Sequence, residues 1–230
     1  MDTERIICYI DGFNLYFGLR EKGWKKYYWL DLKRLTEKLL KPRQSLEMVK
    51  YFTSNISAGN ESSPPWLQKK MKEKRKRQLT YLEALNTLDG MKIFFGHYLF
   101  KTMSCNNCGH IWITYEEKMT DVCIATELLI DGYKNKFDTA LIISGDSDLA
   151  PPIQAIREIY PNKKIIIAFP PSRISARLKH IAHASFIIGE ANLRKSLFPN
   201  EIIKNDGYIL KRPYVSNNVR NLLLANTGDS

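Results

Sequence analysis

The stretch IISGDSDLAPPIQAIRE occupies residues 142–158 and joins a short apolar run to an amphipathic segment through an acidic turn. The apolar run predicts a buried strand, and the periodic segment predicts a helix. Asp146 and Asp148 lie in the turn, directly after the strand. Because open α/β sheets bind their ligands beyond the carboxyl ends of the strands, this pattern indicates a functional site at the strand end.

The N-terminus repeats this arrangement. Residues 5–10 (RIICYI) predict a strand that leads into Asp11, Gly12 and Asn14 at the start of an expected helix. Acidic groups at two strand ends can meet in space although they are far apart in sequence. Ionised carboxylates a few ångströms apart repel each other, so they require a cation or a shared proton. The two strand ends therefore predict a metal site.

Short apolar runs alternate with amphipathic stretches along the chain, which favours an α/β fold with a central, mostly parallel sheet covered by helices. The predicted strands lie at 5–10, 48–53, 91–99, 139–143, 164–169 and 186–188, and the further predicted helices lie at 31–40, 65–88, 116–133, 149–159 and 172–184. We expect one domain at 1–190, with a basic helical insertion at 54–90 and a hairpin at 101–115. Residues 191–230 are expected to be a partly flexible extension.

A third acidic element lies between the two strand ends. In residues 116–133, Val122, Ala125 and Leu128 share one face of the predicted helix. Asp121 borders that apolar stripe, so its carboxylate can lean over the edge of the sheet. Lys118 lies close enough in sequence to help bind a phosphate.

Three segments, YIDGFNLY, EKMTDVCIATELLID and LIISGDSDLAPPIQAIRE, resemble in this order the signature blocks of the NYN domain, LabA-like branch, within the PIN-like superfamily of metal-dependent ribonucleases. The resemblance implies a three-layer α/β/α PIN-like sandwich. It also implies a metal-binding set and a residue, Asn14, that orients the substrate. The implied metal ligands are Asp11, Asp121, Asp146 and Asp148.

Carboxylates suit the hydrolysis of a phosphodiester bond, because they hold the hard cations Mg²⁺ or Mn²⁺, which can neutralise charge and activate a nucleophile. We therefore predict a divalent-metal-dependent nuclease that acts on RNA. A non-catalytic RNA-binding regulatory module on the same fold is the alternative. Asp148 could instead cap the following helix. A phosphatase of the haloacid-dehalogenase kind ranks third, because Asp11 lacks a second Asp two residues later.

The chain is strongly basic, with 35 Lys and Arg against 24 Asp and Glu, or a net charge of +11. Such an excess favours polyanions, so we expect a nucleic-acid partner, RNA more than DNA. A solvated helix is the alternative for the basic run at 65–88. The predicted nucleic-acid-binding residues are Lys69, Lys70, Lys72, Lys74, Arg75, Lys76, Arg77, Lys118 and Arg173.

The cysteines suggest one further metal site. Cys105 and Cys108 form a C-x-x-C, and His97 and His110 lie nearby, so a structural Zn²⁺ is one interpretation and a pair of reduced thiols is the other. No apolar run approaches the ~20 residues of a membrane span. We expect a cytoplasmic protein without a membrane partner, and a homodimer by analogy with PIN-like domains.

Overall fold

The computed structural model of the chain describes residues 3–56 and 65–214, without the side chains of residues 97–102 and 111–118. Its centre is a seven-stranded sheet of order β4-β3-β2-β1-β5-β6-β7. All neighbouring strands in this sheet are parallel except β3 and β4, which are antiparallel. The strands are β1 (Glu4–Asp11), β2 (Gln44–Ser54), β3 (Met91–Ser104), β4 (Ile111–Lys118), β5 (Thr139–Ile143), β6 (Lys164–Phe169) and β7 (Ala184–Ile187).

Helices cover both faces of the sheet and create two hydrophobic cores. They are α1 (Gly12–Glu21), α2 (Leu32–Leu39), α3 (Pro65–Leu85), α4 (Thr120–Tyr133), α5 (Ala150–Ile159), α6 (Ala176–Ile181) and α7 (Glu190–Arg194). Strand β1 shows the division, because Cys8 and Ile10 enter the core of α1–α3, whereas Ile7 and Tyr9 enter the core of α4–α6. Alternate residues of a strand point to opposite faces. The expected three-layer α/β fold is confirmed.

Helix α3 connects the parallel strands β2 and β3 and belongs to one of these layers through its C-terminal half. Leu82, Ala84 and Leu85 are buried in the core. Tyr81 donates a hydrogen bond from its Oη to the carbonyl oxygen of Leu30 at 2.9 Å. The N-terminal half of α3 carries the basic run. Within the described ranges, no helix combines the length and apolarity that a membrane crossing requires.

Two helix predictions were wrong at their N-terminal ends. Residues 116–118 belong to β4, and α4 begins at Thr120 after a left-handed residue, Met119, with φ 77°. Pairing with β3 stabilises the extended backbone there, although Glu and Lys favour helices. The helix expected at 172–184 covers only Ala176–Ile181, because a turn at Ser172 (φ 61°) precedes its cap, Ser175.

The C-terminal extension contains a small hairpin of β8 (Glu201–Ile203) and β9 (Ile209–Lys211). Leu210 on β9 is buried in the core beside α3. Residues 215–230 lie outside the described part of the chain, so the flexibility expected there stays a prediction. The hairpin expected at 101–115 is formed in the structure by β3 and β4 together.

Candidate functional site

Three carboxylates converge at the carboxyl edge of the sheet. Asp11 ends β1, Asp146 follows β5, and Asp121 lies in the first turn of α4. Strands β1 and β5 are parallel neighbours with Ile10 opposite Ile143, so both chains leave the sheet at the same edge. One oxygen from each of the three carboxyl groups lies within 4.8 Å of the other two. The structure thus brings together the acids of all three sequence motifs.

Hydrogen bonds fix the carboxyl group of Asp11, which is only 4% exposed. Its Oδ1 accepts from the backbone N–H of Asn14 at 2.9 Å and so caps α1. Its Oδ2 accepts from the hydroxyl of Ser144 at 2.9 Å. Ser144 Oγ in turn accepts from the backbone N–H of Asp146 at 3.0 Å. Ser144, to which the sequence analysis gave no role, therefore links the two strand ends.

Asn14 lies beside the acids in an open cleft of about 340 Å³. Its Oδ1 accepts from the backbone N–H of Gly145 at 2.8 Å, which holds the side chain against the loop after β5. Arg173, in the loop before α6, also lines this cleft. The cleft therefore combines a carboxylate, an amide and a guanidinium, which is a suitable set for a metal ion and a phosphate.

Gly145 allows the two loops of the cleft to touch. A Cβ atom at this position would lie 2.4 Å from the carbonyl oxygen of Arg173, a backbone atom that can move only with its loop. We expect Gly145→Ala to lower the free energy of unfolding by about 1–3 kcal/mol, as overpacking does. Urea denaturation measures this. Gly189→Ala is the control, since nothing lies within 4 Å of its added Cβ. Equal stability of the two variants would contradict the close packing.

The acids destabilise one another's charge. Burial raises the pKa of Asp11 to about 7, against hydrogen bonds from Asn14 and Ser144 that lower it, and the negative charges of Asp121 and Asp146 raise it further. A divalent cation would reverse this balance, because it favours the ionised carboxylates. Three carboxylates offer the oxygen ligands that Mg²⁺ and Mn²⁺ prefer. The residues present therefore fit such an ion.

Comparison with known proteins identifies the family. Residues 5–192 match the NYN domain. The chain belongs to the NYN domain family. This match contains all three acids, so the cluster lies inside the NYN domain and not in an appended segment.

Two similar proteins accompany this family match. The 6-hydroxy-3-succinoylpyridine 3-monooxygenase HspA of Pseudomonas putida (strain DSM 28022 / S16) is 29% identical over an alignment of 198 residues, which covers 75% of this chain. The match spans 62% of that relative's length, which is less than two thirds. A protein of unknown function from Vibrio parahaemolyticus RIMD 2210633 shares the fold, with 18% identity and a TM-score of 0.53 over 85% of this chain and 97% of its own.

Asp148 of the NYN domain lies outside the three-acid group that the described residues form. It is exposed, in a short turn at Ser147–Leu149, and its backbone N–H donates to Oδ1 of Asp146 at 3.0 Å. The carboxyl group that caps this turn is that of Asp146. A metal-binding role for Asp148 stays a prediction.

The basic residues of α3 differ in exposure. Lys74 and Arg77 are half-buried, and the pKa of Lys74 is lowered by burial first and then by the positive charges of Arg20, Arg77 and Lys70. Arg20, at the end of α1, therefore belongs with the basic residues of α3 to one basic surface. The sequence did not indicate this role for Arg20. The exposed members of the predicted set are Lys69, Lys70, Lys72, Arg75 and Lys76. The side chain of Lys118 lies outside the described part of the chain.

The cysteine pair lies in the turn between β3 and β4. Cys105 donates its backbone N–H to the carbonyl oxygen of His110 at 2.8 Å, which closes the turn. Backbone N–H groups of Asn107 and Cys108, together with the Cys108 side chain, lower the pKa of the Cys105 thiol. The side chain of His97 is not described, and no three-ligand group forms here among the described residues. Zinc binding stays a prediction.

A buried ionic network lies below the acid cluster and was not predicted. The Nζ atom of Lys50 on β2 forms ion pairs with Asp131 and, at 2.6 Å, with Glu127, both on α4. The Tyr9 hydroxyl donates to Oδ2 of Asp131 at 2.7 Å. Asp131 is fully buried, although it lies close to the C-terminal end of α4. The network therefore holds α4, the helix that carries Asp121, against the sheet.

Proposed function

We propose that this protein is a divalent-metal-dependent ribonuclease that hydrolyses phosphodiester bonds of RNA. The observation that carries the proposal is the convergence of three carboxylates within 4.8 Å at the carboxyl edge of the sheet of an NYN domain. Asp11, Asp121 and Asp146 would hold Mg²⁺ or Mn²⁺. When bound, such an ion supplies Lewis-acid stabilisation of phosphate charge and activation of water.

The remaining residues of the cleft bind and orient the substrate in this proposal. Arg173 lines the cleft, and its guanidinium, which also pairs with Glu21, would donate hydrogen bonds to a phosphate there. Asn14, held by its bond to Gly145, presents its amide group to the same space. Ser144 keeps both Asp11 and the chain before Asp146 in place, so the acids need little rearrangement when a cation enters.

The monooxygenase activity named for the Pseudomonas putida relative is not carried over to this chain. A non-haem iron oxygenase site takes two histidines and one carboxylate, whereas the group that the described residues form consists of three carboxylates. Three carboxylates are better suited to Mg²⁺ or Mn²⁺, the hard cations that catalyse phosphoryl transfer, than to an iron site of that kind.

The direct test incubates the purified protein with end-labelled RNA in the presence of Mn²⁺, Mg²⁺ or EDTA. We expect cleavage with either metal and none with EDTA, followed on a denaturing gel. RNA binding without cleavage under every metal condition would overturn the nuclease and leave the non-catalytic RNA-binding module.

Metal binding should weaken at acidic pH. Because the pKa of Asp11 is raised to about 7, its carboxyl group is protonated below that pH and must lose the proton before it binds a cation. The affinity for Mn²⁺ is expected to fall about tenfold per pH unit below about pH 7 and to level off above it. Titration calorimetry with Mn²⁺ alone measures this. Asp11→Asn should remove this pH dependence of the Mn²⁺ affinity. A pH-independent affinity in the parent protein would contradict the prediction.

A further inference from the structure

Phe17 is an aromatic side chain of α1 that neither hydrophobic core uses. It is 37% exposed and lies one helical turn after Asn14, on the same side of the helix. Its ring stacks against Phe13 at 6.4 Å between centroids and meets Tyr16 edge-on at 5.4 Å. The result is an aromatic ridge that begins beside the acid cluster and ends in an exposed ring.

Two arginines flank this ring. The Cζ atom of Arg20 lies 6.0 Å, and that of Arg173 5.8 Å, from the centroid of Phe17. Both distances are near the outer limit of a cation–π contact, so neither guanidinium is packed tightly on the ring. Arg173 also lines the cleft. Its Nη2 forms an ion pair with Glu21, and its Nε is buried with no hydrogen-bond partner among the described residues. Phe17 is therefore connected to the cleft through Arg173.

Arg20 connects the same ring to the basic surface of α3. The positive charges of Arg20, Arg77 and Lys70 lower the pKa of Lys74, after burial, so these four groups lie close enough to repel one another. None of the four forms an ion pair with an acid in the described part of the chain. Cations gathered in this way favour a polyanion, whose phosphates would relieve the repulsion.

We infer that α1 carries a platform for single-stranded RNA, on which one base stacks on Phe17. Phosphates on one side of that base contact Arg20 and the cations of α3, and the phosphate on the other side enters the cleft beside Arg173. A base in a duplex is already stacked on its neighbours and cannot cover the ring, so the platform selects single strands. This inference rests on the proposed ribonuclease function and adds the form of its substrate.

The test measures binding without cleavage, in EDTA, by fluorescence anisotropy of a labelled RNA of about 12 nucleotides, single-stranded or annealed to its complement. Phe17→Leu keeps an apolar side chain but removes the ring. It should weaken single-strand binding about 5- to 150-fold, the equivalent of one stacked base at 1–3 kcal/mol, and change duplex binding less than about twofold. Tyr133→Leu is the matched control, because this exposed aromatic residue ends α4 far from Asp121.

A second pair of variants tests the phosphate contacts. Arg20→Gln combined with Lys74→Gln should reduce the slope of log affinity against log salt by about 1.4 for the single strand, since about 0.7 is lost per phosphate contact. The control combines Lys134→Gln and Lys195→Gln, two exposed lysines next to α4 and α7. The slope of log affinity against log salt for this control variant should equal that of the parent protein.

The outcomes separate this inference from the proposed function. Unchanged single-strand binding in Phe17→Leu, or an equal loss for single strand and duplex, overturns the platform even if the parent protein cleaves RNA with Mn²⁺. A Phe17-dependent preference for single strands supports the platform even if no metal supports cleavage, and in that case only the ribonuclease proposal fails.

Discussion

Asp146→Asn is expected to reduce metal-dependent RNA cleavage by at least about a hundredfold, the equivalent of roughly 3 kcal/mol of transition-state stabilisation. An amide is a poorer ligand for a hard cation than a carboxylate and lacks its charge. The fold should persist, because Oδ1 of Asp146 caps the turn at Ser147–Leu149 and Asn is an equally good cap. Single-turnover cleavage of labelled RNA at saturating Mn²⁺ measures the effect.

Two further variants show whether the loss is specific. Asp206→Asn removes one exposed carboxylate in the turn between β8 and β9 and should leave the cleavage rate unchanged. Asp148→Asn tests the role that the NYN resemblance implies for that residue. A rate as low as that of Asp146→Asn would make Asp148 a functional acid, and a parental rate would make it a surface residue. Undiminished cleavage by Asp146→Asn would remove Asp146 from the proposed metal site.

The acid cluster could be predicted from the sequence because its main determinants are local. An apolar strand followed at once by an acid places that acid at the strand's carboxyl end, and parallel neighbours such as β1 and β5 bring two such ends together. Asp121 was found from the resemblance to the NYN blocks and from an apolar stripe that was partly wrong, because Val122 is 60% exposed and the buried residues there are Ile124 and Leu128. Ser144 was part of the same motif, but its bond to Asp11 depends on how the two strand ends are aligned, which no local pattern encodes.

Contacts between distant elements could not be predicted in this way. Lys50 lies in a strand that is otherwise apolar around it, and its acidic partners follow 77 and 81 positions later on α4. Arg20 meets Lys74 only because α1 and α3 cover the same face of the sheet. The start of α4 was misplaced for a related reason, because the pairing of β4 with β3 overrides the helix propensity of Glu116 and Glu117.

Lys50→Met is expected to lower the free energy of unfolding by about 3–5 kcal/mol, the typical cost of removing one partner from a buried ion pair. The side chain of Lys50 is 3% exposed and that of Asp131 is fully buried, so water cannot replace the lost ammonium group. The Tyr9 hydroxyl and Lys136, at 3.4 Å, contact Asp131 but leave much of its charge uncompensated. Urea denaturation at neutral pH, followed by circular dichroism, measures the change.

A comparison with an exposed ion pair decides whether burial causes the loss of stability in Lys50→Met. Lys164→Met removes a lysine that is 60% exposed and pairs with Glu4 at 3.4 Å, so its loss should cost less than about 1 kcal/mol. The double variant Lys50→Met/Asp131→Leu also removes the carboxylate at position 131, so no unpaired buried charge remains there. Much of the lost stability should therefore return. If Lys50→Met were no less stable than Lys164→Met, the network would not fasten α4 to the sheet. The position of Asp121 would then depend on apolar packing through Ile124 and Leu128 alone.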